Sequence, residues 1–278
     1  FLSICVRKID KKVFQAYNMS TNNQKRARGK KMLTSERQNK ILEYLKERKT
    51  AFVRDLAAAL YVSEATVRRD LNEMQKLGLI ERSHGGAILP ENAEEVSIFV
   101  RMNKNAREKE RAATNALKRL AGIPFRSLFV DSSSTALALA ARLDLSHRTV
   151  VTNNLQTAMQ LAQKAGVNLI LLGGSVQANT NSATGSWTVR QLPDFSFDLM
   201  LASCAAVVGG EAFERSLDQK EIKRAAFERS AKRILVVDSG KFSASGTYRF
   251  QSLDAFDCVA TDAPPPAELI GKNILFAY

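Results

Sequence analysis

From Arg126 onward the chain alternates short apolar runs with stretches of helical periodicity: "SLFV" then "TALALAARL", "TVVT" then "LQTAMQLAQKAG", "NLILLGG", "DLMLASCAAV", then "KEIKRAAFERSA" and "RILVVD". Parallel strands are buried on both faces and need a helical crossover to reach one another, so this alternation predicts a parallel sheet with helices on its faces. "DCVATD" and "NILFAY" add two further strands. An open sheet of this kind also predicts where a ligand sits, in the crevice beyond the carboxyl ends of the strands.

The residues that follow the apolar runs are strongly polar. Asp131, Ser133, Ser134 and Thr135 lie in "DSSST", which leads into a helix, and Thr152, Asn153 and Asn154 lead into another. Hydroxyls, amides and free backbone N–H groups at helix starts favour anions such as phosphate. Gly173 and Gly174 in "GGS" permit close backbone approach, and "DSGK" brings Lys241 to the end of another strand, where a point positive charge meets the same anion. Each loop taken alone is also explained by helix capping or turn chemistry. Four polar loops on one side of one sheet point to a shared site. The lone Trp187 is either a sugar-stacking residue or a core or interface residue.

The chain before Arg126 reads differently. Ser35 with Gln38 three residues on is a capping-box start, and Ile41, Leu42 and Leu45 supply the buried stripe of a first helix. After a break at Lys49 to Phe52, Val53, Leu56, Ala57 and Leu60 share one face of a short second helix. Tyr61 and Val62 turn the chain, and Ser63 caps a third helix whose stripe is Val67, Leu71 and Met74 and which ends at Gly78. On a helical wheel Ala65, Thr66 and Arg69 oppose that stripe and Arg68 flanks it. With Glu64 at the helix start, this outward face carries a methyl, a hydroxyl and two guanidinium groups, an inventory that reads base edges and grips phosphates in a major groove. The plainer reading is a solvated basic face on a packing helix. "LIERSHGGAIL" follows at once as a hairpin, a wing that sets Arg82 and His84 near the nucleic-acid backbone or minor groove.

These patterns divide the 278 residues into a basic extension over 1–33, a winged helix-turn-helix over 34–89, a polar, proline-containing linker over 90–97 and an α/β effector-binding domain over 98–278. The fold class is α/β with a small DNA-binding head. Net charge is +13, and the first 33 residues hold nine Lys or Arg against the single acid Asp10. "QKRARGKK" is thus either an arm adding salt-sensitive phosphate contacts or an extension without a specific role. The chain does not begin with Met, and Met19 or Met32 is a candidate start. "FLSICV" is too short for a secretory apolar region and its charge follows rather than precedes it, so no signal peptide is expected. Cys5, Cys204 and Cys258 lack C-x-x-C spacing, which argues against a disulfide framework or a zinc site and for a reducing cytoplasm. No cofactor or metal is expected.

Through "ERQNKILEYL", "VRDLAAALYVSEATVRRDLNEMQKLGLIERSHGGAIL" and their order, the chain resembles the DeoR-type bacterial transcriptional regulators. The resemblance implies a winged helix-turn-helix that binds operator DNA, with Ser63, Thr66, Arg68 and Arg69 at the DNA. It continues to the C-terminus through "DSSST", "VTNN", "LLGGSV", "DQKEIKRA" and "VVDSGKF", and implies a sensor built like a sugar-phosphate isomerase. Carried over motif by motif, the effector residues are Asp131, Ser133, Ser134, Thr135, Thr152, Asn153, Asn154, Gly173, Gly174 and Lys241, with Lys223 on a helix that lines the pocket. Two departures concern the ligand: Ser133 stands where the family commonly has Gly, and "SCAAV" lacks Gly-rich character. The implied protein is a homo-oligomeric repressor of carbohydrate genes, dimeric or tetrameric, tuned by a phosphorylated sugar. Its rivals are an isomerase-like enzyme carrying a DNA-binding head, with Asp131 or Asp238 as base, and a nucleic-acid chaperone working through the basic arm.

Overall fold

The computed structural model describes residues 34–76, 79–88 and 97–278. The expectations for the basic extension with Cys5, for the helix end at Gly78, for the linker over 90–96 and for the Ser35 side-chain cap lie outside the described residues.

Helix α1 (Thr34–Arg48) is followed by strand β1 (Thr50–Phe52), helices α2 (Val53–Leu60) and α3 (Glu64–Lys76), and the hairpin β2 (Glu81–Ser83) and β3 (Gly86–Ile88). All ten stripe residues expected from the periodicity, from Ile41 to Met74, are buried in one cluster. Tyr61 ends α2 in the left-handed region at φ 55, and the two-residue turn His84–Gly85 closes the wing. The expected break at Lys49 to Phe52 contains β1, which pairs antiparallel with β3 and makes the wing three-stranded. That close pairing explains Gly86, where a Cβ would stand 2.1 Å from the Ala51 carbonyl oxygen.

A pair that periodicity does not reveal fastens α1 to α3. Arg37 donates to both carboxylate oxygens of Asp70, through Nε to Oδ2 and through Nη2 to Oδ1 at 2.8 Å, and both residues are buried. Bidentate geometry is what makes such a buried pair favourable once formed.

Two helices follow, α4 (Ile98–Asn103) and α5 (Ala106–Leu120), with Asn105 at φ 54 between them. Strand β4 (Ser127–Val130), helix α6 (Ser134–Ala140), strand β5 (Thr149–Thr152), helix α7 (Leu155–Leu161) and strand β6 (Asn168–Leu171) then follow the expected alternation. A short hairpin, β7 (Ser175–Gln177) and β8 (Ser182–Thr184), and helix α8 (Ser186–Gln191) precede β9 (Phe197–Ala202). The run "DLMLASCAAV" splits between β9 and β10 (Ala206–Val208), which joins β11 (Glu211–Glu214) and β13 (Tyr248–Ser252) in a separate antiparallel sheet. Helix α9 (Leu217–Glu228) leads to β12 (Ser230–Val237), and β14 (Cys258–Thr261) and β15 (Phe276–Ala277) complete the main sheet.

That sheet has seven strands in the order β15-β14-β12-β9-β4-β5-β6, parallel throughout. The chain builds outward from β4 through β5 to β6, then returns to the other side of β4 with β9. The order therefore reverses between β4 and β9, and adjacent crossovers leave that point on opposite faces, opening a crevice at the strand ends. Among the described residues no helix is long and apolar enough to cross a membrane.

Breaking the buried Arg37–Asp70 pair leaves a guanidinium without its carboxylate in the interior, so Asp70→Asn is expected to destabilise the head by about 3–5 kcal/mol. Glu64→Gln, which breaks the exposed Arg68–Glu64 pair, is expected to cost under about 0.5 kcal/mol. Urea titrations of the two variants check this, and equal midpoints would contradict the assigned role of Asp70.

Candidate functional site

Two sites emerge, one on the head and one at the strand-order reversal. On the head, Ser63 Oγ accepts the Thr66 backbone N–H at 3.2 Å and shares a hydrogen bond with the Thr66 hydroxyl at 2.9 Å, fixing the first turn of α3. Glu64, Ala65, Arg68 and Arg69 are exposed and Thr66 is half-buried, opposite the buried Val67, Leu71 and Met74. Arg68 pairs with Glu64 one turn earlier at 3.0 Å, while no carboxylate lies within ion-pair distance of Arg69 among the described residues. The adjacent arginines are thus unequal: one is partly neutralised and steered by Glu64, the other keeps its full charge for an outside partner. His84 is exposed at the wing tip and Arg82 half-buried on β2. A groove between α3 and the wing is lined by Phe52, Arg54, Arg68 and Gly85. Sequence reasoning did not single out Phe52 and Arg54; the available signal was an aromatic beside an arginine at the start of α2.

The second site is a cavity of about 150 Å³ above the ends of β4, β9 and β12. Its floor is a buried charge cluster. Lys223 on α9 donates to Glu214 Oε1 at 2.5 Å and to the Ser203 carbonyl oxygen at 2.6 Å, and lies 2.8 Å from Asp131 Oδ2. Burial pulls this ammonium down, but Asp131 and Glu214 outweigh it and hold its pKa above the usual lysine range. Asp131 also accepts the backbone N–H groups of Ser133 at 2.9 Å and Ser203 at 3.0 Å, tying the loop after β4 to the loop after β9. The carboxylates near Lys223 are therefore spent on it.

The cavity walls are cationic. Six Lys or Arg side chains line it against two carboxylates, Glu214 and Asp238, and Glu214 already serves Lys223. Lys109 is only 5% exposed and donates to the carbonyl oxygens of Arg101 and Lys104 and to Ser134 Oγ, the last at 3.0 Å. Burial pushes its pKa down to about 8, with Asp238 pulling it up and Lys241, Arg101 and Lys104 pushing it further down. Lys241 is likewise lowered, first by burial, against the opposing pull of Asp238 and Glu214. Burial pushes the Cys204 thiol up to about 12, so this wall is a neutral, inert thiol. Two polar atoms of the lining, Ser203 Oγ and Asp238 Oδ2, are buried without a hydrogen-bond partner among the described residues. A ligand with hydroxyl groups would supply those bonds.

The sequence-derived effector residues divide between this cavity and the loops after β5 and β6. Ser133, Ser134, Thr135, Lys223 and Lys241 line the cavity, and Asp131 lies directly beneath it. Thr152, Asn153 and Asn154 do not reach it. They are fully buried, with Asn154 capping α7 through the Thr157 N–H at 2.9 Å and binding the Thr180 carbonyl at 2.8 Å, and Asn153 binding the Ala183 carbonyl at 3.1 Å. Gly173 and Gly174 seat α8: a Cβ on Gly174 would stand 2.0 Å from Thr188 Oγ1. Trp187 lies on α8 beside Gly173 with its ring exposed. The split follows the side of the reversal, since the cavity rests on β4, β9 and β12 while β5 and β6 lie beyond β4. Arg101, Lys104, Lys109 and Arg215 were missed. For Lys109 a signal was present, because it falls in register with Ala112, Ala113, Ala116 and Leu120 on the buried stripe of α5.

A helix-turn-helix head with an outward basic face, joined to an α/β unit with a charged ligand-sized cavity, defines a DNA-binding regulator with a sensor domain. Comparison with known proteins agrees. Residues 37–93 match the model of a DeoR-like helix-turn-helix domain and residues 104–263 that of a DeoR C-terminal sensor domain. The chain belongs to the DeoR family of transcriptional regulators. It is 34% identical over 242 residues to the glycerol-3-phosphate regulon repressor of Escherichia coli (strain K12), covering 86% of this chain and 95% of that one. It is 31% identical over 234 residues to the HTH-type transcriptional regulator GolR of Listeria innocua, covering 83% and 91%. Similar solved structures include a ribose 5-phosphate isomerase A of Methanocaldococcus jannaschii, at 13% identity over 50% of this chain and 55% of that one, with a TM-score of 0.36.

Lys109 also sets a pH dependence. The unfolded chain releases this proton near 10.5 and the folded chain near 8, so between those values the folded state binds fewer protons and stability rises with pH. Lys109→Met is expected to remove that contribution. Denaturant titrations at the two ends of the window check it, and an unchanged difference between variant and wild type would contradict the burial of a charged Lys109.

Proposed function

We propose that the chain represses a carbohydrate-metabolism operon and that a small phosphorylated polyol or sugar, held in the cavity at the β4–β9 reversal, controls its grip on DNA. The observation that carries this reading is the charge of that cavity. Lys223 offsets one of the two floor carboxylates, Asp131 and Glu214, and the five further cations Arg101, Lys104, Lys109, Arg215 and Lys241 outnumber the acid charge that remains there and on Asp238. A phosphate dianion answers the cations, and ligand hydroxyls answer Ser203 Oγ and Asp238 Oδ2. The small volume and a relative named for the glycerol-3-phosphate regulon favour a three-carbon ligand as the first to test.

In this reading the head spans 34–89 and the sensor 98–278, and α3 enters the major groove with Ser63, Glu64, Ala65, Thr66, Arg68 and Arg69 at the DNA. Arg82 and His84 follow the backbone from the wing. Ser133, Ser134, Thr135 and Lys241 meet the effector, with Asp131 and Lys223 holding the loops beneath. Thr152, Asn153, Asn154, Gly173 and Gly174 support the sheet rather than the ligand. One recognition helix covers too few base pairs for a unique site, so the protein works in the cytoplasm as a dimer or tetramer on repeated half-sites. It acts by differential binding and turns over no substrate.

Fluorescence anisotropy with an operator fragment selected from random DNA by the full chain, paired with calorimetry using glycerol 3-phosphate and hexose phosphates, tests both halves. Arg69→Ala is expected to weaken operator binding by roughly 10- to 100-fold, the loss of one base contact, and to leave ligand affinity unchanged. Lys241→Met is expected to do the reverse. An unaltered anisotropy curve for Arg69→Ala, or no heat from any phosphorylated sugar, would sink the corresponding half.

A further inference from the structure

Helix α4 is packed into both parts of the molecule. Its first residue, Ile98, is fully buried and donates its backbone N–H to the Asn179 carbonyl at 3.0 Å, which fixes it to the sensor. Val100, two residues on, is 8% exposed and belongs to the apolar cluster of the head together with Ile41, Leu45 and Leu71. The next residue, Arg101, lines the cavity and reaches the Ser132 carbonyl at 3.5 Å. Six residues thus touch the DNA-reading core at one position and the effector cavity at its neighbour.

At the C-terminal end of α4, Lys109 joins Arg101 in tying the helix to the loop after β4. The last carbonyls of a helix have no intrahelical partner. Here those of Arg101 and Lys104 are both taken by the Lys109 ammonium, whose third donor goes to Ser134 Oγ. An ammonium has three donors, so Lys109 is saturated. Its three acceptors are all neutral, which leaves its charge under-compensated and agrees with the downward push of burial on its pKa.

We propose that Lys109 is the latch between the two sites: it holds the end of α4 to the loop after β4, and a phosphate bound at that loop draws the ammonium away and frees α4. Through Val100 the release reaches the head and changes its hold on DNA. The proposal rests on reading the cavity as a phosphate site. Its driving force is the greater strength of a charge-assisted bond to phosphate over one to a carbonyl, increased by burial. Lys109 is a positioning residue for DNA binding, acting through α4.

The test uses the full chain with two variants. Lys109→Met removes the latch; Val100→Ala weakens the arm and touches neither DNA nor cavity. Readouts are operator affinity by anisotropy, binding of glycerol 3-phosphate and of inorganic phosphate by calorimetry, and amide exchange of Lys104, whose N–H bonds Val100 in α4. Without any ligand, Lys109→Met is expected to change operator affinity by about fivefold or more, within the usual range of coupling, and to speed Lys104 exchange. Val100→Ala is expected to keep the glycerol 3-phosphate Kd within about twofold of wild type while shrinking the ligand's effect on operator affinity at least threefold or so. A purely structural Lys109 predicts lower stability alone. Folded Lys109→Met that binds operator as wild type does, or folded Val100→Ala with full coupling, overturns the latch; if Lys109→Met fails to fold, Val100→Ala decides. Should neither probe bind wild type, the cavity reading fails, and the ligand-free operator affinity and Lys104 exchange of Lys109→Met still decide the latch.

Discussion

The ionic contact between Lys223 and Asp131, completed by Glu214, is the constraint from which the rest of the sensor follows. It sits where the strand order reverses, and it joins the ends of β4 and β9, helix α9 and the antiparallel sheet that carries Glu214. Burying three charges together is tolerable only because each carboxylate meets the ammonium and Asp131 also accepts backbone N–H groups. The arrangement stabilises two loops that would otherwise be independent. It also offsets one of the two acid charges below the cavity, and the five other cations of the lining outnumber what remains.

The cavity and the head are connected by position rather than by long-range charge. The basic face of α3 offers Arg69 with no ion-pair partner among the described residues, while Arg68 is held by Glu64. The cavity holds its lysines against burial, lowering the pKa of Lys109 and Lys241, a cost that an anionic ligand offsets. Helix α4, with Val100 in one core and Arg101 in the other site, gives the two regions a shared mechanical element. A ligand can alter DNA binding only by preferring one placement of such an element.

Much of this was legible in the residues. The stripes of α1 to α3 and the apolar runs from "SLFV" to "NILFAY" fixed element types, because 3.6-residue and continuous apolar patterns report burial directly. The reading face of α3 followed from the same wheel. What the pattern did not carry is which loops meet in space. Asp131 and Lys241 follow β4 and β12, on which the cavity rests, Asn153 and Gly174 follow β5 and β6 on the other side of β4, and in sequence all four follow an apolar run in the same way. Strand order separates them, and strand order is a tertiary property. Nor did periodicity reveal β1, too short to alternate, the Asn105 break between α4 and α5, or the Arg37–Asp70 pair. Lys109 stood in plain view on an alanine stripe, a charged residue in a buried register, and such a violation of pattern marks a functional or strained position.

The central claim is that the cations above the Lys223 cluster hold a phosphorylated small molecule. A crystal structure of the full chain grown with glycerol 3-phosphate tests it most directly. The account requires the phosphate to lie within hydrogen-bond reach of Lys241 and of Ser134 and Thr135 at the start of α6, with a polyol hydroxyl on Ser203 or Asp238. Phosphate density instead at Asn153–Asn154 or Gly173–Gly174, with the β4–β9 cavity holding only solvent, would contradict it.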